Sequence, residues 1–177
     1  KIACCVVVQE MVDADAAGVA FTANPMTQDR GEFVITSNFG LGESVVSDMV
    51  TPDTFITDRR GNIKSKQISA KNKMVTLIHR QGMAHRGNGN HTHSTVKAIP
   101  KSKRMKPSID DKTVVEISRL CNLVESHYKS PQDIEWACVG GKIYLLQSRP
   151  ITTLANNKDD GSASIKAPTV NEFDFTI

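Results

Sequence analysis

Apolar positions fall in short runs along most of the chain, and each run stops at a turn signal. A β-rich run covers residues 2–9 and ends at Gln9. "EMVDADAAG" (10–18) follows, with turn-prone Asp13 and Asp15. "GVAFTAN" (18–24) predicts a second strand closed by Asn24-Pro25, and "EFVITSNF" (32–39) a third. "GLGESVVSDM" (40–49) is a Gly-rich turn opening a short helix, which Pro52 ends. "TFITDRRGNIKSKQIS" (54–69) predicts a hairpin around Arg60-Gly61-Asn62, and "KMVTLIHR" (73–80) extends it. Residues 81–107 have no apolar period and predict one long, exposed, flexible loop. Across 109–128, Val114, Ile117, Cys121, Val124 and Tyr128 recur at helical spacing and make one apolar face. Ser108 with Asp111 three residues on resembles a capping box at its start. Strands outnumber helices and come mostly as hairpins. The pattern predicts an α+β layer: a mainly antiparallel sheet with one or two packing helices.

The last hairpin, "PQDIEWACVGGKIYLLQSRP" (131–150), carries the main chemical question. Asp133 and Glu135 share one face of its first strand, while Ile134, Trp136 and Cys138 share the other. Gln147 and Arg149 share a face of the second strand. A two-residue Gly140-Gly141 turn would pair Glu135 with Leu146 and put the polar sets on opposite faces. A three-residue loop, 139–141, would pair Asp133 with Gln147 on one face, and Gly at its last position is favoured there. In that second register two carboxylates, a carboxamide and a guanidinium converge. Oxygen donors on a rigid strand suit Mg²⁺ shared with phosphate, and Arg suits bidentate phosphate contact. The plain alternative is a solvated hairpin face with an ordinary ion pair.

Composition narrows the field only a little. The 177 residues suit one domain or two small subdomains, and 39% hydrophobic content with 5% aromatic predicts an aliphatic core. A net charge of +3 does not point to nucleic acid. Lys97, Lys101, Lys103, Arg104 and Lys106 cluster, but no aromatic residue interleaves to offer a stacking platform, so a solvated basic loop is the better reading. The run 2–8 is too short to span a bilayer and has no cleavage region after it. Cys4, Cys5, Cys121 and Cys138 show no metal or redox spacing and read as buried thiols of a cytoplasmic protein. His79, His85, His91 and His93 lie in a Gly/Asn-rich segment without ligand spacing, which reads as solvated loop. The chain enters at Lys1 within an apolar run and reads as a piece of a longer polypeptide. From Thr153 the polar "NNKDDGSAS" reads as a linker.

"VVVQEMV" (6–12), "AGVAFTANPMT" (17–27), "GLGESVV" (40–46), "TPDTF" (51–55) and "QDIEWA…GGKIYLLQSRPIT" (132–152) occur in one order. Together they resemble the nucleotide-binding domain of the pyruvate phosphate dikinase, phosphoenolpyruvate synthase and rifampicin phosphotransferase family, over roughly residues 3–153. The resemblance implies the C-terminal part of an ATP-grasp fold in residues 1–153, with 154–177 as a linker toward a phosphohistidine domain outside this chain. It implies ATP and Mg²⁺ as ligands. Glu135 and Gln147 match the family's Mg²⁺–ATP ligands, with Asp133 at a nearby acidic position. Arg149 matches the phosphate-contacting arginine of the transfer step. Gln9, Glu10, Met11 and Val12 match the hinge that reads adenine through backbone groups. "GLGE" (40–43) could meet phosphate or be a tight strand–helix turn, and Glu43 could be an acid near the metal or a first-turn helix residue.

The function so implied is ATP-dependent phosphorylation of a carrier histidine, followed by transfer to a small acceptor such as pyruvate, with no nucleic-acid or membrane partner. The other reading is a non-catalytic nucleotide-binding or interaction module of the same fold.

Overall fold

The computed structural model describes residues 6–79, 92–152 and 154. The expectations for residues 2–5, Cys4, Cys5, His85, His91, the 80–91 part of the loop and the 155–177 linker lie outside that range.

Among the described residues, eight strands and two helices follow one another in chain order. They are β1 (Ala16–Phe21), β2 (Glu32–Phe39), α1 (Glu43–Val46), β3 (Asp53–Asp58), β4 (Ile63–Gln67), β5 (Lys73–His79), β6 (Thr92–Ala98), α2 (Asp111–Tyr128), β7 (Gln132–Val139) and β8 (Lys142–Pro150). Six of the strands form one antiparallel sheet, ordered β4-β3-β2-β1-β7-β8. The α+β arrangement is the expected one. Among the described residues no helix is long and apolar enough to cross a membrane.

Strand alternation sorts the side chains into two cores. On one face Phe33, Ile35, Phe55, Ile134, Trp136 and Cys138 pack against Val114, Ile117 and Cys121 of α2. That is the predicted helix stripe, with Val124 partly buried at its margin. On the other face Ala17 and Ala137 pair across β1 and β7 and meet Leu41, Val75 and Leu77. Small residues there leave the sheet surface shallow, and a cleft opens above it.

Three expectations are corrected. Residues 6–9, the described part of the run read as a strand, form no strand, and Val6, Val7 and Val8 are 81–94% exposed. Residues 92–98, read as loop, are strand β6, which pairs residue for residue with β5 as a separate two-stranded sheet. Its sequence, THSTVKA, is polar because most of its residues face solvent, so it carries no period-2 signal. The cap of α2 is Asp110, whose Oδ1 accepts from Thr113 N at 2.8 Å, and Ser108 is engaged elsewhere.

The β5–β6 sheet is tied to the main body at the glycine turn after β2. Leu41 N donates to Val75 O at 2.8 Å, and Gly40 bridges Val75 in parallel. Gly40 has φ +75°, and a Cβ there would lie 2.1 Å from Val75 O, so no other residue fits.

Candidate functional site

The turn joining β7 to β8 is the two-residue Gly140-Gly141, with φ +56° and +83°. Positive φ at both central residues is what a two-residue hairpin turn of matching twist needs. Val139 therefore pairs with Lys142, and the three-residue loop expected from sequence does not form. Yet Glu135 still faces Gln147. The register holds as far as Trp136↔Leu145, then shifts so that Glu135↔Gln147 follows. Leu146 is the extra residue of a β-bulge, and both Leu146 and Gln147 turn toward the same side. Asp133 lies opposite Arg149 rather than Gln147.

Glu135, Gln147 and Leu146 line a cleft of about 460 Å³, together with Gln9, Glu10, Met11 and Val12. The two ends of the chain's candidate chemistry thus meet across one cavity. Its floor is apolar: Ala17, Leu41, Ala137 and Leu146. Glu43 and Val46 of α1 line one wall, and Ser94 of β6 another. Sequence reasoning missed Ser94 because β6 read as loop. It missed Leu146 because only the bulge turns that residue inward.

Asp133 and Arg149 lie beside the cleft without lining it. Arg149 Nε donates to Asp133 Oδ2 at 2.8 Å, and Nη2 lies 2.8 Å from the same oxygen. The guanidinium is 65% exposed and the carboxylate 12%. An exposed pair of this kind holds little energy, so the fork remains available to another anion.

Helix α1 is only one turn long, and its position depends on side-chain bonds. Buried Ser44 donates to Leu41 O at 3.2 Å and accepts from Asn38 Nδ2 at 2.9 Å. Asn38 Nδ2 also reaches Lys73 O at 3.0 Å, which joins α1, β2 and β5. Behind this wall, Asp53 of the "TPDTF" stretch is fully buried with Lys71, Nζ to Oδ1 at 2.5 Å. Asp53 also accepts from Ser69 N, Ser108 N and Ser108 Oγ at 2.8–3.0 Å. Ser108 Oγ in turn lies 2.6 Å from Ser37 Oγ. A buried carboxylate with this many donors holds three loops in register.

The charge of the cleft argues for a cation. Its described lining has three carboxylates, Glu10, Glu43 and Glu135, and no basic side chain. Among the described residues no three His, Cys, Asp or Glu side chains gather closely enough to enclose a metal. Glu135 and Gln147 instead offer two facing oxygen donors on rigid strands. That donor set fits Mg²⁺, which keeps waters and takes its remaining ligands from phosphate rather than from an all-protein cage.

Residues 1–169 match the family described as pyruvate phosphate dikinase, AMP/ATP-binding domain. A probable phosphoenolpyruvate synthase of Archaeoglobus fulgidus is 39% identical over 162 residues, covering 90% of this chain and 20% of that protein. The phosphoenolpyruvate synthase of Pyrococcus furiosus is 40% identical over 157 residues, covering 87% of this chain and 19% of that protein. A rifampicin phosphotransferase of a Streptomyces species is 39% identical over 149 residues, covering 84% of this chain and 16% of that protein. The chain therefore spans about a fifth or less of the length of these three relatives.

Proposed function

The chain belongs to the pyruvate phosphate dikinase AMP/ATP-binding domain family, and on that premise we propose that it binds Mg²⁺–ATP as the C-terminal part of an ATP-grasp domain in a dikinase-type phosphotransferase. In this reading residues 1–153 belong to the nucleotide-binding domain, and 154–177 lead toward a carrier-histidine domain. ATP phosphorylates that histidine, which passes the group to a small acceptor such as pyruvate, in the cytoplasm.

The observation that carries the reading is the facing pair Glu135 and Gln147, set by the bulge onto the same cleft as residues 9–12. Adenine lies along Gln9–Val12, where backbone groups meet its edge and Val12, Ala17 and Leu41 meet its face. Glu135 and Gln147 hold Mg²⁺, which when bound neutralises phosphate charge in the transfer. Arg149 leaves Asp133 to take a phosphate through its planar fork. Asp133 keeps that fork extended beside the cleft until the nucleotide arrives. Glu10, Glu43 and Glu135 repel a polyanion, so the cation and the arginine strengthen the binding that the base contacts begin.

The test is single-turnover phosphorylation in the full-length protein, using ATP labelled at the β or the γ position. The reading expects AMP as product and acid-labile label on a histidine of the same polypeptide. Release of ADP alone, or ATP binding with no protein-bound phosphate, would overturn it.

A further inference from the structure

Asn38 of β2 is fully buried and stands opposite Ala17, a residue of the cleft floor. Directly opposed side chains of paired strands share a face, so Asn38 continues that floor toward α1. Its Nδ2 donates to Ser44 Oγ at 2.9 Å and to Lys73 O at 3.0 Å. Neither partner can take the opposite role. Lys73 O only accepts, and Ser44 Oγ gives its own proton to Leu41 O. Both therefore require a donor, and one side-chain nitrogen supplies both. Asn38 Oδ1 is buried with no partner among the described residues. A buried acceptor left unpaired costs stability, so the donors are what this side chain contributes here.

The two acceptors belong to two walls of the cleft. Ser44 lies on α1 between Glu43 and Val46, which line one wall. Lys73 begins β5, which pairs in register with β6, where Ser94 lines another. Leu41 N already takes Val75 O, and the Asn38 amide takes the carbonyl two residues back, adding a side-chain rung to the main-chain one. The base of the β5–β6 sheet is held separately. Ile99 N donates to Asn72 O at 2.9 Å, Lys71 N to Arg104 O at 3.1 Å, and the Lys71–Asp53 pair lies beneath. Loss of the Asn38 amide would therefore loosen the walls without detaching that sheet. Glu135 and Gln147 belong to β7 and β8, on the far side of β1 from Asn38.

We infer that Asn38 is a positioning residue of the nucleotide cleft: its two N–H donors hold α1 and the β5–β6 sheet at a fixed separation over the floor. The inference rests on the functional reading above, which puts the nucleotide in this cleft. It assigns the spacing of the two walls to one buried amide, outside both the metal pair and the adenine stretch. Without that amide, an entering nucleotide has to order the walls itself. That weakens binding and leaves the metal pair as it was once the nucleotide is seated.

The test is single-turnover phosphorylation in the full-length protein over a range of Mg²⁺–ATP concentrations, which separates half-saturation from maximal rate. Asn38→Ala should raise the half-saturating concentration about tenfold and keep the maximal rate within about threefold of the parent. Asn38→Leu roughly keeps the volume, removes the donors and the unpaired acceptor together, and should show the same split. Ser44→Ala cuts only the α1 arm. It should give a smaller rise in half-saturation, with little further change when combined with Asn38→Ala. Asp110→Ala, at the cap of α2 on the opposite face of the sheet, controls for destabilisation and should leave half-saturation unchanged. Parental half-saturation in Asn38→Ala or Asn38→Leu would overturn the inference. If neither of those folds, parental half-saturation in Ser44→Ala would do so. A fall in maximal rate at unchanged half-saturation is what a merely destabilised protein shows, and it would also overturn the inference, as would an equal rise in Asp110→Ala. Failure of the parent to take up phosphate from ATP would overturn the functional reading itself, a result distinct from the others.

Discussion

Arg149 meets Asp133 with two nitrogens on one oxygen, Nε and Nη2 each 2.8 Å from Oδ2. The second carboxylate oxygen is left to solvent or to another donor. Side-on pairing at a single oxygen gives up the parallel two-bond match that a phosphate offers. Arg149→Ala should therefore change folding stability by less than about 1 kcal/mol. The same change should slow phosphoryl transfer about a hundredfold, the usual loss when a transition-state donor is removed. Arg149→Lys should recover only part, because a point charge does not copy the fork. Thermal melts and single-turnover rates on the same preparations measure the two effects. Parental transfer rates in Arg149→Ala would reduce the pair to a surface ion pair.

Glu135→Ala removes one of the two facing oxygen donors and should largely abolish carrier phosphorylation. Nucleotide binding should weaken and lose most of its dependence on Mg²⁺, since in the proposed reading residues 9–12 meet adenine through the backbone. Equilibrium binding with and without Mg²⁺ separates the loss of metal from the loss of nucleotide. An unchanged Mg²⁺ dependence would mean that the metal ligands lie elsewhere.

Lys71 and Asp53 are both fully buried. Lys71→Met should cost about 3–5 kcal/mol, because it leaves a buried carboxylate without its cation. Adding Asp53→Asn should recover part of that loss, since an amide is far less costly to bury than an unpaired charge. Denaturant titrations of the single and double variants test this, and strictly additive losses would refute the coupling.

Asp110 caps α2, accepting from Thr113 N at 2.8 Å and from Thr113 Oγ1 at 2.7 Å. The Thr113 hydroxyl, and then its amide, hold the Asp110 carboxyl below the usual aspartate range. A folded-state value below the unfolded one stabilises the fold above the unfolded pKa of about 4, and the benefit fades as pH falls through the lower folded value. Asp110→Ala should cost about 1 kcal/mol at neutral pH. The difference from the parent should shrink in melts carried out toward pH 3.

Cys121 lies in the core under α2, where burial pushes its thiol up to about 12. Burial also raises Cys138, on the face of β7 that meets the helix. A thiol-specific reagent at pH 8 should leave both unmodified in the native protein and label both after unfolding, as the thiolate is the reactive form. Native labelling on the timescale of an exposed cysteine would contradict the packing of α2 on the sheet.

Much of the architecture is legible in the order of residues, because it depends on local periodicity. Alternation in "EFVITSNF" marks β2 at its true bounds, and the 3.6-residue stripe of Val114, Ile117 and Cys121 marks the buried face of α2. Gly-Gly marks the last turn, and the ordered motifs name the family. Three features escape that reading. Segment 92–98 is a strand only because β5 lies beside it. Asp53 is buried only because Lys71 and Ser108 reach it from 18 and 55 residues away. The facing of Glu135 and Gln147 depends on one bulged residue, Leu146, in a hairpin whose turn length alone predicts the opposite faces. Side-chain periodicity is a property of neighbouring residues, so sequence displays it directly. Register and burial are set by partners distant in the chain, and a shift of one residue exchanges the two faces of a strand. In this protein Glu135, Gln147 and residues 9–12 were visible in the sequence as candidates, and the side on which they meet, with Leu146 and Ser94 beside them, was decided by the packing of the sheet.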